Sequence, residues 1–430
     1  MSKRSASDAD WRKLDNAAKI FPSATSKADT KVFRFSAELT EPVDQYYLQD
    51  ALDRTLEDFP TFRCVLKRGL FWYYLEEANT GFLVREEDAP PCSTMYHDSR
   101  SPLFSATFYL NRINLEVYHV LTDGAGALQF LKALTYNYLL LAHPELGGHC
   151  SALDFDASVA QRMDDSFAKY YTGKSNITAA LAKSRVPVYT LKGAKTAEWR
   201  LKVLEGIVPA DRVVACAKSM GVTVTAFLSA VLICAIKEEM SERDKGKSVV
   251  VSIPINLHKY FPSKTVRNFF SVVNIGYCFE GSSDALPDVA ASMRDRLAAT
   301  LNGEYLQKRL DMLAELEHWM VARIVPLFIK NIVLKRFYKR SEREYTTTLS
   351  NVGTVVMPEE LRPFIRRIDV FNSTKDMQVC LCTYENVLSI SFTSRFLSND
   401  IQRRFFRTLS GMNIPVEIVA NRFEGMGESV

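Results

Sequence analysis

The stretch from Ile113 to Leu141 constrains the fold more than any other, because it demands a strand, a sharp turn and a helix in direct succession. Ile113 to Val117 alternates apolar and polar residues as a strand does, and Leu128 to Leu141 is apolar with a helical period. Between them runs Tyr118-His119-Val120-Leu121-Thr122-Asp123-Gly124-Ala125-Gly126. A histidine where a strand ends, followed by an Asp-Gly turn into a helix, stands at the kind of junction that borders a cleft. Gly124 can take a positive φ that other residues resist. Asp123 can cap the helix or pair with an arginine held elsewhere. His119 has the side chain whose ordinary pKa suits proton transfer near neutral pH.

Composition removes several function classes. The 430-residue chain is 47% hydrophobic and 24% charged, as expected of a folded protein of two or three domains. A net charge of +4 is too mild for a nucleic-acid binder, though it suits an anionic ligand such as a nucleotide-bearing thioester. The eight cysteines include no C-x-x-C pair. Cys380 and Cys382 would share one face of a strand, and buried thiols in a reducing cytoplasm are expected rather than metal ligands. Met1 to Asp10 has no apolar run, so no secretory signal is expected. Val222 to Ile236 is too short to span a bilayer, and Val321 to Leu334 is interrupted by Arg323 and Lys330. Thr172-Gly173-Lys174-Ser175 has no glycine at position 168, so it is read as a polar linker, not a phosphate loop. His97, His143, His149, His258 and His318 form no H-E-x-x-H pattern, and neither G-x-S-x-G nor G-x-G-x-x-G occurs.

The pattern of the whole chain is mixed α/β. Ser2 to Ser26 reads as an arm with a docking segment around Leu14 to Phe21. Lys31 to Leu39 reads as a strand, and Val43 to Phe59 as a helix with Tyr47, Leu48, Leu52, Leu56 and Phe59 on one side. Two hairpins follow, turning at Arg68-Gly69 and at Asn111-Arg112. After the polar connection, strand and helix patterns restart at Trp199. The expected division is an N-terminal lobe at 1–172, a linker at 173–195 and a C-terminal lobe at 196–430.

His-x-x-x-Asp-Gly at 119–124 resembles the signature of the CoA-dependent acyltransferase superfamily, which includes chloramphenicol acetyltransferase, condensation domains, wax ester synthases and alcohol acetyltransferases. Many members carry a second histidine where this chain has Tyr118. The resemblance implies two chloramphenicol-acetyltransferase-like α/β sandwich lobes with an active-site tunnel between them, and His119 midway along it. It also implies His119 as general base and Asp123 as a structural residue that fixes the His119 backbone. Acyl-CoA would be a co-substrate rather than a bound cofactor, and an alcohol or amine the acceptor, in the alcohol-acetyltransferase or wax-synthase-like branch. A stand-alone condensation-like domain fed by an acyl carrier protein, and a non-catalytic binding protein of the same fold, are the alternatives.

Three further segments carry chemistry. Ser350-Asn351-Val352-Gly353, expected just after a strand, could supply a hydroxyl and an amide to an oxyanion or to substrate. It resembles a tunnel-facing segment of the same relatives. Pro254 to Lys259 and Arg267-Asn268-Phe269-Phe270 resemble loops that border the tunnel. Asn268 is thus a substrate-binding candidate, with backbone capping the competing role for Asn256 and Asn268. Val325 to Arg343 reads as a helix, apolar first and basic later, with Lys330, Lys335, Arg336, Lys339, Arg340 and Arg343. Its cations could offset the helix dipole, contact a membrane surface, meet an acidic carrier protein or bind CoA phosphates.

Overall fold

The computed structural model describes residues 11–78, 81–153, 166–173, 187–196, 200–318 and 325–421, and the statements below concern these. Their strands make three sheets. The smallest joins β1 (Trp11–Lys13), β4 (Tyr73–Glu77) and β3 (Cys64–Arg68). The second runs β12 (Ile365–Asn372), β2 (Val32–Leu39), β7 (Arg112–Tyr118), β6 (Phe104–Tyr109) and β5 (Arg85–Glu86). The third runs β10 (Phe270–Tyr277), β9 (Val249–Asn256), β11 (Thr347–Val355), β13 (Met377–Tyr384), β14 (Val387–Ser394), β8 (Lys202–Pro209) and β15 (Glu417–Ala420). The helices are α1 (Phe21–Ala24), α2 (Gln45–Asp58), α3 (Gly124–Ala142), α4 (Ser166–Tyr170), α5 (Ala210–Ser219) and α6 (Val224–Lys237). They continue with α7 (Leu286–Thr300), α8 (Gly303–His318), α9 (Leu327–Ser341) and α10 (Asp400–Gly411).

Alternation explains the five-stranded sheet. Phe33, Phe35 and Ala37 with Ile113, Leu115 and Val117 are buried in the first core, which also takes Leu48 and Leu52 of α2 and Phe130 and Leu134 of α3. The opposite face is polar yet also enclosed. Arg34 pairs with Glu116 at 2.7 Å, the Ser36 hydroxyl lies 2.7 Å from the Asn114 amide oxygen, and Arg112 pairs with Glu38 at 2.9 Å. Cross-strand pairing offsets the desolvation of these groups. Within α2, the expected apolar side holds for Leu48, Leu52, Leu56 and Phe59, but Tyr47 is exposed. Asp44 caps this helix by accepting from the Tyr46 and Tyr47 backbones, which turns both tyrosines outward.

The second core lies between α5, α6 and α7 and the seven-stranded sheet, with α6 buried almost all round. β13 serves both cores. Met377, Val379 and Leu381 enter the second, while Cys380, Cys382 and Tyr384 enter the first, as a period of two requires.

The division of the chain is less clean than the expected boundaries. β12 belongs by sequence to the C-terminal lobe but pairs antiparallel with β2 in the five-stranded sheet. It closes an edge of β2 that would otherwise present unpaired backbone groups. The linker also ends earlier than expected: Val188 bridges Ser248, and Tyr189 and Leu191 sit in the second core. Residues 174–186 of that linker lie outside the described residues.

Candidate active site

His119 is the first residue after β7, and its backbone N–H donates to the Lys31 carbonyl at 2.9 Å. Lys31 has φ +58°, a left-handed conformation that costs a non-glycine residue roughly 1–2 kcal/mol. The imidazole is partly exposed and framed by three phenylalanines. Phe21 stacks on it with centroids 4.6 Å apart, Phe33 lies at 4.8 Å and Phe270 at 5.7 Å. Phe33 comes from β2, Phe270 from β10 and Phe21 from the N-terminal segment, whose Leu14, Ala18 and Phe21 are buried in the first core.

The imidazole orientation is set by two side chains in series. His119 Nδ1 lies 3.2 Å from Asn268 Oδ1. The Asn268 amide cannot be turned around, because its Nδ2 donates to Asp15 Oδ2 at 3.1 Å. Asp15 Oδ2 also accepts from the Asn268 backbone at 3.3 Å, and its Oδ1 accepts from the Ala18 backbone at 2.7 Å. With an oxygen facing it, Nδ1 must carry the proton, so the lone pair of the neutral ring is on Nε2. Burial lowers the His119 pKa below its ordinary 6.5; the Asp123 charge and the Asn268 hydrogen bond oppose that shift, and burial wins. The arrangement is a neutral imidazole with Nε2 ready to accept a proton.

Asp123 pairs with no arginine among the described residues. Its Oδ1 caps α3 by accepting from Ala125 at 3.0 Å and Gly126 at 3.1 Å, and its Oδ2 accepts from the Phe269 backbone at 2.8 Å. The Thr122 hydroxyl donates to the Val266 carbonyl. Thus Val266, Asn268 and Phe269, just before β10, are fastened to Thr122, His119 and Asp123. The His119 backbone N–H is held by the Lys31 carbonyl, while Asp123 fastens the start of α3 to the Phe269 backbone. Gly124 has an ordinary φ, and a Cβ there would meet nothing within 4 Å. The glycine that the packing demands is Gly126, where a Cβ would lie 2.1 Å from Thr122 Oγ1 and 2.2 Å from the Val266 carbonyl oxygen.

Ser350 and Asn351 lie inside β11, not after it, at a register shift that accommodates Gly353 with φ +91°. The Asn351 amide is already engaged: Nδ2 donates to Thr225 at 2.9 Å and Oδ1 accepts from the Gly353 backbone at 2.9 Å. Neither residue forms a hydrogen bond with His119 among the described residues. Asn256 caps a turn, accepting from the His258 backbone at 2.9 Å, and His258 Nδ1 is 2.9 Å from the Ser263 carbonyl. Tyr118, at the position of the missing second histidine, is buried with its hydroxyl 2.8 Å from Thr25 Oγ1. Among the described residues no group of three or more His, Cys, Asp or Glu could hold a metal ion. Two small cavities, of about 10 and 30 Å³, do not border His119. Both are far below the several hundred Å³ typical of a ligand pocket, so neither is the expected tunnel.

Sequence reasoning missed Asp15 and Phe21 as site residues. The buried spacing of Leu14, Ala18 and Phe21 signals that the segment docks, but nothing in it signals where.

No family model matches the sequence, and no curated protein matches it. Solved structures do match. The trichothecene 15-O-acetyltransferase from Fusarium sporotrichioides is 11% identical, with 96% of each chain covered and a TM-score of 0.62. The first condensation domain of the CDA synthetase is 13% identical, with 94% of this chain and 97% of that chain covered and a TM-score of 0.61. A starter condensation domain of rhizomide synthetase, solved with C8-CoA, is 13% identical, with 94% of each chain covered and a TM-score of 0.59. The chain therefore has the two-lobed α/β fold of the condensation domains and CoA-dependent acyltransferases.

Proposed function

We propose that the protein is an acyltransferase that moves an acyl group from a CoA thioester to an alcohol or amine, with His119 as general base. The observation that carries this is the Asp15–Asn268–His119 series, which leaves a neutral imidazole with its lone pair on Nε2. As the acceptor oxygen or nitrogen bonds to the thioester carbonyl carbon, Nε2 takes its proton. The tetrahedral oxyanion then collapses, the C–S bond breaks, and the imidazolium returns the proton to the departing thiolate. Proton removal by a positioned base contributes about a hundred- to ten-thousand-fold. A thioester is already activated, so no covalent enzyme intermediate is required. Ser350 is the better oxyanion or substrate donor of its pair, since the Asn351 amide is engaged. Acyl-CoA as donor is supported by the neighbour solved with C8-CoA. An acyl carrier protein is the alternative donor, supported by the condensation-domain likeness. The eight cysteines are all free, which supports a reducing compartment such as the cytoplasm.

The test is thiol release from acyl-CoAs of graded length with a panel of alcohols and amines. The parent should turn over at least one pair, and a folded His119→Ala variant should lose most of that turnover while still binding the thioester. Wild-type thiol release by that variant would refute the assignment. A parent inactive on every thioester, yet binding a ligand in the cleft, would favour a non-catalytic protein of this fold.

A further inference from the structure

α9 has two faces, and only one is accounted for by packing. Its inner side is anchored. The Leu327 backbone donates to the Leu70 carbonyl at 3.0 Å, and Lys330 turns inward to donate to the Phe71 carbonyl at 2.9 Å. The Lys330 ammonium also sits 3.3 Å above the Trp72 ring, and Tyr338 meets Lys31. The outer side carries Phe328, Ile329, Ile332, Val333 and Phe337, of which four are at least half exposed: 59% for Phe328, 53% for Ile332, 60% for Val333 and 50% for Phe337. Such side chains project from a convex surface rather than line a groove. Leu70 and Phe71, exposed at the helix start, extend the patch.

Interleaved with these at helical spacing are Lys335, Arg336, Lys339 and Arg340, all exposed. None has an ion-pair partner among the described residues, and the fifteen residues of α9 include no acid. The helix dipole accounts for cations near a helix C-terminus but not for five projecting apolar side chains beside them. A convex helix that shows bulky apolar groups together with unpaired cations fits a deformable surface that is apolar beneath and anionic above.

We propose that α9 docks the protein on an anionic phospholipid surface. The apolar side chains enter the headgroup boundary, and the four cations meet lipid phosphates. This goes beyond acyl transfer and does not depend on it, so its test reads binding and not turnover.

The full chain is sedimented with vesicles of phosphatidylcholine, with and without phosphatidylglycerol. Binding should require phosphatidylglycerol and weaken with added salt. A Lys335→Gln/Lys339→Gln variant should bind about thirtyfold more weakly, from roughly 1 kcal/mol lost per cation. Phe328→Ser/Val333→Ser should also weaken binding, whereas charge attraction alone would leave it unchanged. All four positions are exposed, and an unaltered melting curve checks that each variant is folded. A parent that ignores phosphatidylglycerol vesicles, or variants that bind as the parent does, would overturn the proposal. So would a parent that binds an acidic carrier protein through these cations but no vesicle.

Discussion

Replacing Asp123 with alanine removes two kinds of contact at once. The first is the cap of α3, two backbone donors on Oδ1, worth about 0.5–2 kcal/mol. The second is the acceptor for the buried Phe269 N–H, whose loss costs about 1–3 kcal/mol because the donor keeps no partner. Relief of carboxylate burial offsets part of the sum, leaving roughly 1–4 kcal/mol. At about 2.1 cal/mol/K per residue, unfolding the 430-residue chain has an entropy near 0.9 kcal/mol/K, so the melting temperature should fall by roughly 1–4 °C. Asp123→Asn keeps one oxygen for the cap but points N–H at N–H on the Phe269 side, and should lie between alanine and parent. Calorimetry or circular dichroism of all three proteins reads this, with thiol release measured in parallel. If Asp123→Ala melts with the parent yet has lost activity, the clamp is wrong and the carboxylate acts on the chemistry directly.

Other perturbations follow from the same geometry. Asp15→Ala should lower kcat by roughly ten- to a hundredfold with KM little changed, the size of effect seen when a partner that orients a metal-bound histidine is lost. Asp15→Asn should recover part of it, and equal activity of all three proteins would remove Asp15 as a positioning residue. Gly126→Ala should cost about 1–3 kcal/mol and most activity, since the Val266 backbone must move, whereas Gly124→Ala should be neutral or slightly stabilising. The opposite order in a melting experiment would refute the close-approach argument. Because burial lowers the His119 pKa, the acid limb of kcat/KM should fall below pH 6.5. The stability from a neutral His119 should be complete above about pH 6.5 and decline as pH drops toward the folded pKa, because the unfolded chain takes up the proton first. An acid limb at or above pH 6.5 would contradict the desolvated imidazole.

Much of this fold is legible in local patterns. The alternation in Lys31 to Leu39 and Ile113 to Tyr118 marks β2 and β7, and the two hairpins turn close to where Arg68-Gly69 and Asn111-Arg112 predict. What is not legible is pairing across distance. Ile368 to Phe371 reads as a strand, but nothing in those residues says that it joins β2 rather than its sequence neighbours. The same limit hides Asp15, whose role exists only once Asn268 is folded against it. Gly126 escapes notice for another reason: its constraint is the Val266 carbonyl of the other lobe, while the Asp-Gly turn points to Gly124.

The pairing of β12 with β2 also bears on how the chain is made. β2 ends at Leu39, and the strand that covers its outer edge is complete only at Asn372. At about 5–20 residues per second, a ribosome leaves that edge open for on the order of 20–60 s after β2 emerges. During this interval Val32 to Leu39 presents unpaired backbone groups to any neighbouring nascent chain. A chain truncated after the first lobe would keep that edge open permanently. It should collect in inclusion bodies, and supplying residues 365–372 on a separate peptide should improve its solubility.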